Sequence, residues 1–168
     1  FFYRNVYITG TVEFNAKLKI NGMNNVSSDE YGGYTYINVN HNLFNMMAPY
    51  VGYVDGVYGP IDYEANSDLF STPGYSQPCF TNPRVVEIIT ENVRKELTNN
   101  PNWKVFSLGF EDNSRFCTCE NCTKALEEEE GHISGVYLRM VNAIAGNLKE
   151  EFPNVMFSAF AYNEAVEP

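Results

Sequence analysis

The apolar and polar positions along the chain predict strands separated by helices. Four short runs are rich in β-branched and aromatic residues, as β-strands are: 1–9, 34–39, 104–110 and 155–162. Better helix formers fill residues 12–20 and end at an Asn-Gly break. Residues 46–77 have no clear period and contain repeated Gly and Pro, so they are predicted to form a long functional loop.

Two further helices are predicted from apolar spacings of three and four. The first begins at Asn82-Pro83, because asparagine caps helices and proline suits the first helical position. Its apolar stripe consists of Val86, Ile89, Val93 and Leu97. The second follows a cysteine-rich loop, and its stripe consists of Leu138, Val141, Ala145, Leu148 and Phe152.

This order of elements predicts an α/β fold. Strands that alternate with helices pair in parallel through right-handed crossovers, so we expect a partial (β/α)8 TIM barrel of about four parallel strands with crossover helices. A complete barrel takes about 250 residues, whereas this chain has 168. We therefore expect residues 1–168 to be a fragment of one such domain, with the rest of the parent barrel as its partner.

Charge and hydropathy exclude some classes of partner. The net charge is −10, from 11 Lys and Arg against 21 Asp and Glu, which argues against nucleic acid or an anionic membrane as a partner. No apolar run approaches the roughly 18 residues of a membrane span. An acidic surface with 12 Tyr suits a neutral polyhydroxyl ligand such as a sugar, although composition alone favours the interpretation of the rings as ordinary core and rim residues.

Polar residues follow three of the predicted strands. His41 follows the second strand, Glu111 and Asp112 the third, and Tyr162 the fourth. The carboxyl ends of parallel strands meet at one edge, where barrel enzymes place their chemistry. Side-chain alternation along the third strand aims Glu111 into the barrel, and a turn can redirect Asp112 there. Alternatively, one carboxylate caps a loop and the other is solvated.

Four cysteines form a second candidate site. Cys117, Cys119 and Cys122 lie within six residues, and Cys79 lies in another loop. Four thiolates can hold a structural zinc ion, which leaves no open position for catalysis. Disulfides and free thiols are the alternatives, and the sequence does not choose among them.

The order of several motifs resembles the bacterial domain-of-unknown-function 4838 family. The motifs are QPCFTNPRV at 77–85, Asp-Asn at 112–113, CTCENC at 117–122, EGHISG at 130–135 and Ala-Tyr at 161–162. The resemblance implies a glycoside hydrolase-like TIM barrel within exported proteins, which are periplasmic, at the cell surface or extracellular. Some members are similar to endo-β-N-acetylglucosaminidases that cut N-glycans.

The resemblance also implies roles for individual residues. The family's motifs fall on Asp112 and Glu130 as catalytic carboxylates and on Tyr162 at the last strand end. The family pattern is usually not acidic at Glu111, which is kept as a second candidate because of the side-chain alternation along the strand. His41, Asn113 and Tyr162 are expected to bind the sugar. We expect a glycosidase in the full-length parent that acts on N-acetylglucosamine-containing or related glycans by two-carboxylate or substrate-assisted hydrolysis and requires no cofactor. The alternatives are a non-catalytic carbohydrate-binding barrel and a zinc-stapled interaction domain.

Overall fold

The computed structural model describes residue 17 and residues 35–37, 41–71, 74–162 and 165–166. The strands are β1 (Thr35–Ile37), β2 (Val51–Val54), β3 (Val57–Pro60), β4 (Trp103–Leu108) and β5 (Met156–Ala159). The α-helices are α1 (Pro83–Asn99), α2 (Glu120–Glu128) and α3 (Ile133–Leu148). Two 3₁₀ segments, Asn45–Met47 and Tyr63–Leu69, complete the described elements.

The main sheet has the order β1-β4-β5, and both of its strand pairings are parallel. Parallel pairing confirms the prediction for the three later strands. The predicted strand 1–9 and nearly all of the predicted helix 12–20 lie outside the described residues. The described strands therefore make a small mixed α/β fold, and among them a closed barrel is not seen.

Helix α1 begins where the sequence predicts. The Asn82 side chain accepts a hydrogen bond from the Arg84 amide at 2.9 Å, and Pro83 occupies the first turn. Ile89, Val93 and Leu97 are buried, as their spacing predicts. The helix packs against α3, so its apolar stripe forms part of the core under the sheet.

Helix α3 buries Val141 and Leu148 of the predicted stripe but not Leu138. Leu138 is 42% exposed, whereas Tyr137 is 1% exposed and forms part of the core. The Tyr137 hydroxyl donates to the Leu108 carbonyl and accepts from the Phe160 amide, so it joins the ends of β4 and β5 to the helix. Burial raises the pKa of this phenol to about 12, which keeps it a neutral donor.

The predicted loop 46–77 contains regular structure. Strands β2 and β3 pair antiparallel around Asp55 and Gly56, which both have positive φ angles, of 50° and 80°. An Asp-Gly pair supplies the backbone that a two-residue hairpin turn needs, so the prediction of a structureless loop missed a turn signal in the sequence.

The sequence pattern does not predict helix α2, because it indicates a cysteine-rich loop followed by a solvated acidic run over these residues. The helix ends in a left-handed cap at Glu130 and Gly131, and the Gly131 amide bonds the Leu126 carbonyl at 2.8 Å. Across the part of the chain that the structure describes, no helix is long and apolar enough to cross a membrane.

Candidate functional site

The end of β4 is held by the segment that follows β1. His41 pairs with Gly109 as an isolated parallel bridge, which continues the register beyond β1. The Asn42 side chain is fully buried; its amide nitrogen donates to the Ser107 carbonyl at 2.6 Å, and its oxygen accepts from the Gly109 amide at 2.7 Å. Asn42 therefore fixes the point where residues 109–112 leave the sheet.

Gln77 holds the other side of this strand end. Its side-chain oxygen accepts from the Glu111 amide at 2.9 Å, and its nitrogen donates to the carbonyls of Glu111 at 2.7 Å and Asn113 at 3.0 Å. Gln77 is fully buried, so these bonds also satisfy a polar side chain that would otherwise be costly to bury. The backbone around the two candidate carboxylates is thus fixed from both sides.

His41 lies against the same strand end. Its Nδ1 is 2.5 Å from the Phe110 carbonyl oxygen, and because a carbonyl only accepts, Nδ1 carries the hydrogen in this bond. The opposite nitrogen, Nε2, is 3.9 Å from an Asp112 carboxylate oxygen. The ring also lies 5.9 Å from the Tyr162 ring, centroid to centroid. His41 therefore connects the ends of β4 and β5.

Glu111 carries a half-buried carboxylate. One of its oxygens accepts from the Phe44 amide at 2.9 Å. Burial raises the pKa of Glu111, and this effect exceeds the opposing effects of the Phe44 hydrogen bond and of nearby His41. The Tyr58 hydroxyl of the β2–β3 hairpin donates to the Asn45 side chain at 2.7 Å, next to the residue that bonds Glu111, and burial and then the Glu111 charge raise the pKa of Tyr58.

Asp112 and Asn113 follow Glu111 in the turn after β4. The Asp112 side chain is 62% exposed, and one of its carboxylate oxygens lies 3.9 Å from His41 Nε2. The Asn113 side chain donates to the Ser76 carbonyl at 3.1 Å and accepts from the Arg115 amide at 3.1 Å, so it shapes the turn after β4. Tyr162 is 42% exposed beside the His41 ring. Five of the six predicted catalytic and sugar-binding residues thus belong to one polar cluster at the carboxyl edge of the sheet.

Glu130 is the exception. It is exposed at the turn between α2 and α3, with a φ of 54°. None of the hydrogen bonds or ion pairs found within the described ranges joins its carboxylate to His41 or to either acid of the β4 end. Two neighbouring acids of this run, Glu128 and Glu129, are engaged instead, since both pair with Arg139 of α3.

The four cysteines come together at the start of α2. Their sulfur atoms all lie within 4.8 Å of one another. Cys79 Sγ is 3.8 Å from Cys119 Sγ and 3.6 Å from Cys122 Sγ. All four residues are among those described, and no disulfide bond joins them. Hydrogen bonding to Cys117, then to Cys122, and then burial raise the pKa of the Cys79 thiol.

A cavity of about 640 Å³ borders the thiols on the side of α2 and α3. Its lining includes Phe116, Leu126, His132 and Ile133 together with Cys117 and Cys122. None of the polar residues at the end of β4 lines it. This cavity therefore does not lie at the candidate carboxylates. The chemistry of the side chains at the end of β4, and not a cavity, defines the candidate site.

A family model described as "Domain of unknown function (DUF4838)" matches residues 1–168, the whole chain. The chain belongs to this family. No curated protein matches it. Among solved structures, the α-galactosidase from Lactobacillus brevis is similar over 88% of this chain and 18% of that chain, with 16% identity and a TM-score of 0.41. The chain thus spans about a fifth of that protein's length.

In this DUF4838 chain, the sequence does not predict several residues of the polar cluster at the end of β4 as site residues. Asn42 and Gln77 carry no catalytic motif, and only the fold shows that both are buried against the backbone of 107–113. Tyr58 is one of 12 tyrosines in the chain, and the sequence does not distinguish it from the others. The Asp-Gly turn that forms its hairpin was readable, but its proximity to Glu111 was not, since the two residues are far apart in sequence.

Proposed function

We propose that the protein takes part in glycoside hydrolysis and that the cluster around the end of β4 is the reactive site. The observation that carries the proposal is that two adjacent acids lie in different environments. Glu111 is half-buried and has a raised pKa, whereas Asp112 is exposed to solvent. Glycosidases use one carboxyl group as a proton donor and a second for a different role, and the environments of the two set those roles.

Glu111 is the proton donor in this proposal. A general acid must still hold its proton at the working pH, and burial of Glu111 raises its pKa in that direction. The Phe44 amide binds one carboxylate oxygen and leaves the other for the glycosidic oxygen. Proton transfer to that oxygen lets the bond to the anomeric carbon break, and the deprotonated Glu111 then takes a proton from the water molecule that attacks this carbon and completes the hydrolysis.

Asp112 is the second carboxylate of the proposed mechanism. Its exposed carboxylate stabilises the oxocarbenium-like transition state or orients a substrate acetamido group that attacks the anomeric carbon. His41 Nε2 lies 3.9 Å from this carboxylate and attracts it when the imidazole is protonated. Glu130 has no part here, because it lies on a separate exposed turn.

Exposed aromatic rings near the carboxylates suit a sugar. Tyr162 lies beside His41, and Tyr58 pairs with Tyr53 on the hairpin at a centroid distance of 5.1 Å. Flat rings with a polar tip pack against sugar faces while the hydroxyl bonds water or ligand. On the strength of the family resemblance, the proposed substrates are N-acetylglucosamine-containing or related glycans, and the proposed parent is an exported protein that completes the barrel.

The test is hydrolysis of an aryl β-N-acetylglucosaminide and of an N-glycan by the full-length protein that carries this chain. Glu111→Gln and Asp112→Asn should each lower kcat by about 10²- to 10⁴-fold, the usual contribution of a positioned acid or base. Wild-type activity should fall on the alkaline side as Glu111 loses its proton. Glu120→Gln, an exposed acid of α2, is the matched control and should leave kcat unchanged.

A binding role without catalysis is the second candidate, because the Phe44 hydrogen bond also gives Glu111 a structural partner. It predicts sugar affinity in the wild-type protein without turnover. A Glu111→Gln variant that retains full turnover would contradict the catalytic proposal, as would a loss of activity in Glu130→Gln alone.

A further inference from the structure

We propose that Cys79, Cys117, Cys119 and Cys122 bind one Zn²⁺ ion in a closed tetrathiolate site. This site fastens the segment before α1 to the start of α2. The proposal is independent of the sugar chemistry, since it requires neither acid at the end of β4. It rests on the positions of the four sulfur atoms and on the groups around them.

The sulfur positions fit a tetrahedral ion. A Zn–S bond of about 2.3 Å places tetrahedral sulfur ligands about 3.8 Å apart. Cys79 Sγ lies 3.8 Å from Cys119 Sγ and 3.6 Å from Cys122 Sγ, and all four sulfur atoms lie within 4.8 Å of one another. A small adjustment of the side chains would complete the coordination.

Disulfides fit the same positions less well. A disulfide brings two sulfur atoms to about 2.05 Å and forms discrete pairs. Here Cys79 is nearly equidistant from two other thiols, and every thiol is a neighbour of every other. This is the arrangement of ligands around one centre, so a single shared ion explains it more directly than two separate bonds.

The surroundings favour thiolate ligands. The Thr81 hydroxyl is 3.0 Å from Cys122 Sγ and 3.7 Å from Cys79 Sγ, so it can donate to either sulfur. Cys119 is the N-cap residue of α2, and Cys122 lies in its first turn. The partial positive charge of a helix N-terminus stabilises thiolates there, and donors to metal-bound sulfur hold the ligands in place.

The position of the site indicates a structural role. Four thiolates leave no open coordination position for a substrate or water. The ion would join two segments that are far apart in sequence, and Gln77 lies two residues before Cys79. Tetrathiolate sites select zinc or iron, and zinc is the assignment here because it needs no redox partner.

The experiment is metal analysis of the protein purified without chelator, with about one zinc ion per chain as the expected result. After removal of zinc, titration with Co²⁺ should produce thiolate-to-cobalt absorption and the visible bands of tetrahedral cobalt. Cys122→Ser should lose bound metal, whereas Asn121→Ala, an exposed neighbour in the same turn, should retain it.

Three results would overturn the proposal. The first is a metal-free native protein whose unreduced mass shows two disulfides. The second is metal-free protein whose four thiols are alkylated rapidly in the native state. The third is iron in place of zinc, which would refute the choice of ion. Should Cys122→Ser fail to fold, the cobalt titration of the unmodified chain still decides the question.

Discussion

The polar cluster at the end of β4 and the thiol cluster at the start of α2 lie within a dozen residues of each other but are built differently. At the polar cluster, Asp112 is exposed and Glu111 half-buried, and backbone hydrogen bonds hold the chain in place. At the thiol cluster, Cys79 and Cys122 are buried and each thiol has the other thiols as neighbours. A reactive site must be open to a ligand, whereas a structural metal site is more stable when water and other ligands are excluded.

One segment serves both clusters. Gln77 bonds the backbone of Glu111, and the Ser76 carbonyl accepts from Asn113. Two residues further on, Cys79 joins the thiols while its amide bonds the Leu69 carbonyl at 2.8 Å. A change at the thiols should therefore reach the carboxylates through residues 76–79.

The largest effect is expected for Cys79→Ser. Loss of a buried ligand should lower the free energy of unfolding by about 3–5 kcal/mol, which corresponds to roughly 10 °C in Tm. The Glu111 amide should also exchange its hydrogen faster, because its acceptor Gln77 is no longer fixed. Thermal unfolding and hydrogen exchange measure the two effects. Unchanged protection at Glu111 in a folded variant would mean that the clusters are independent.

Gln77→Ala should have an intermediate effect on stability. It disturbs the polar cluster while leaving the four thiols in place. The variant loses three hydrogen bonds to the backbone of Glu111 and Asn113 and leaves polar groups unpaired, at a cost of about 2–3 kcal/mol. Metal content should not change. Ser76→Ala is the control, since its buried hydroxyl has no partner among the described residues, and its stability should stay within about 0.5 kcal/mol. Equal effects of the two variants in chemical denaturation would refute the role of Gln77.

Glu111→Gln should have the smallest effect on stability, and the effect should depend on pH. The folded chain raises the pKa of Glu111 above the usual value of 4.5, so it binds the proton more tightly than the unfolded chain does. The stabilising contribution is complete below 4.5 and is lost as pH rises through the raised value. The glutamine variant should therefore be more stable than wild type at neutral pH and lose this advantage in acid. Denaturation curves across this range give the answer, and the opposite trend would show that the hydrogen bond from Phe44 outweighs burial.

Local signals were sufficient for part of the fold. The Asn-Pro start of α1 and the spacing of Ile89, Val93 and Leu97 depend on nearby residues, and the structure agrees with both. The predicted α3 stripe is confirmed at Val141 and Leu148, but Leu138 is exposed and Tyr137 lies in the core, because packing against the sheet decides which edge of the stripe is buried. Helix α2 was missed because its thiols and acids conceal a short amphipathic helix.

The sequence by itself determined which groups are present and the order in which they follow the predicted strands: acids at the end of β4, three thiols within the next dozen residues, and strands that pair in parallel. Tertiary structure decided which of these groups meet. It placed His41 beside Asp112, buried Glu111 next to Phe44, and left Glu130 on a separate turn. The reason is physical: spacing along a chain sets local geometry, while burial and pKa depend on segments dozens of residues away, which only the folded packing brings together.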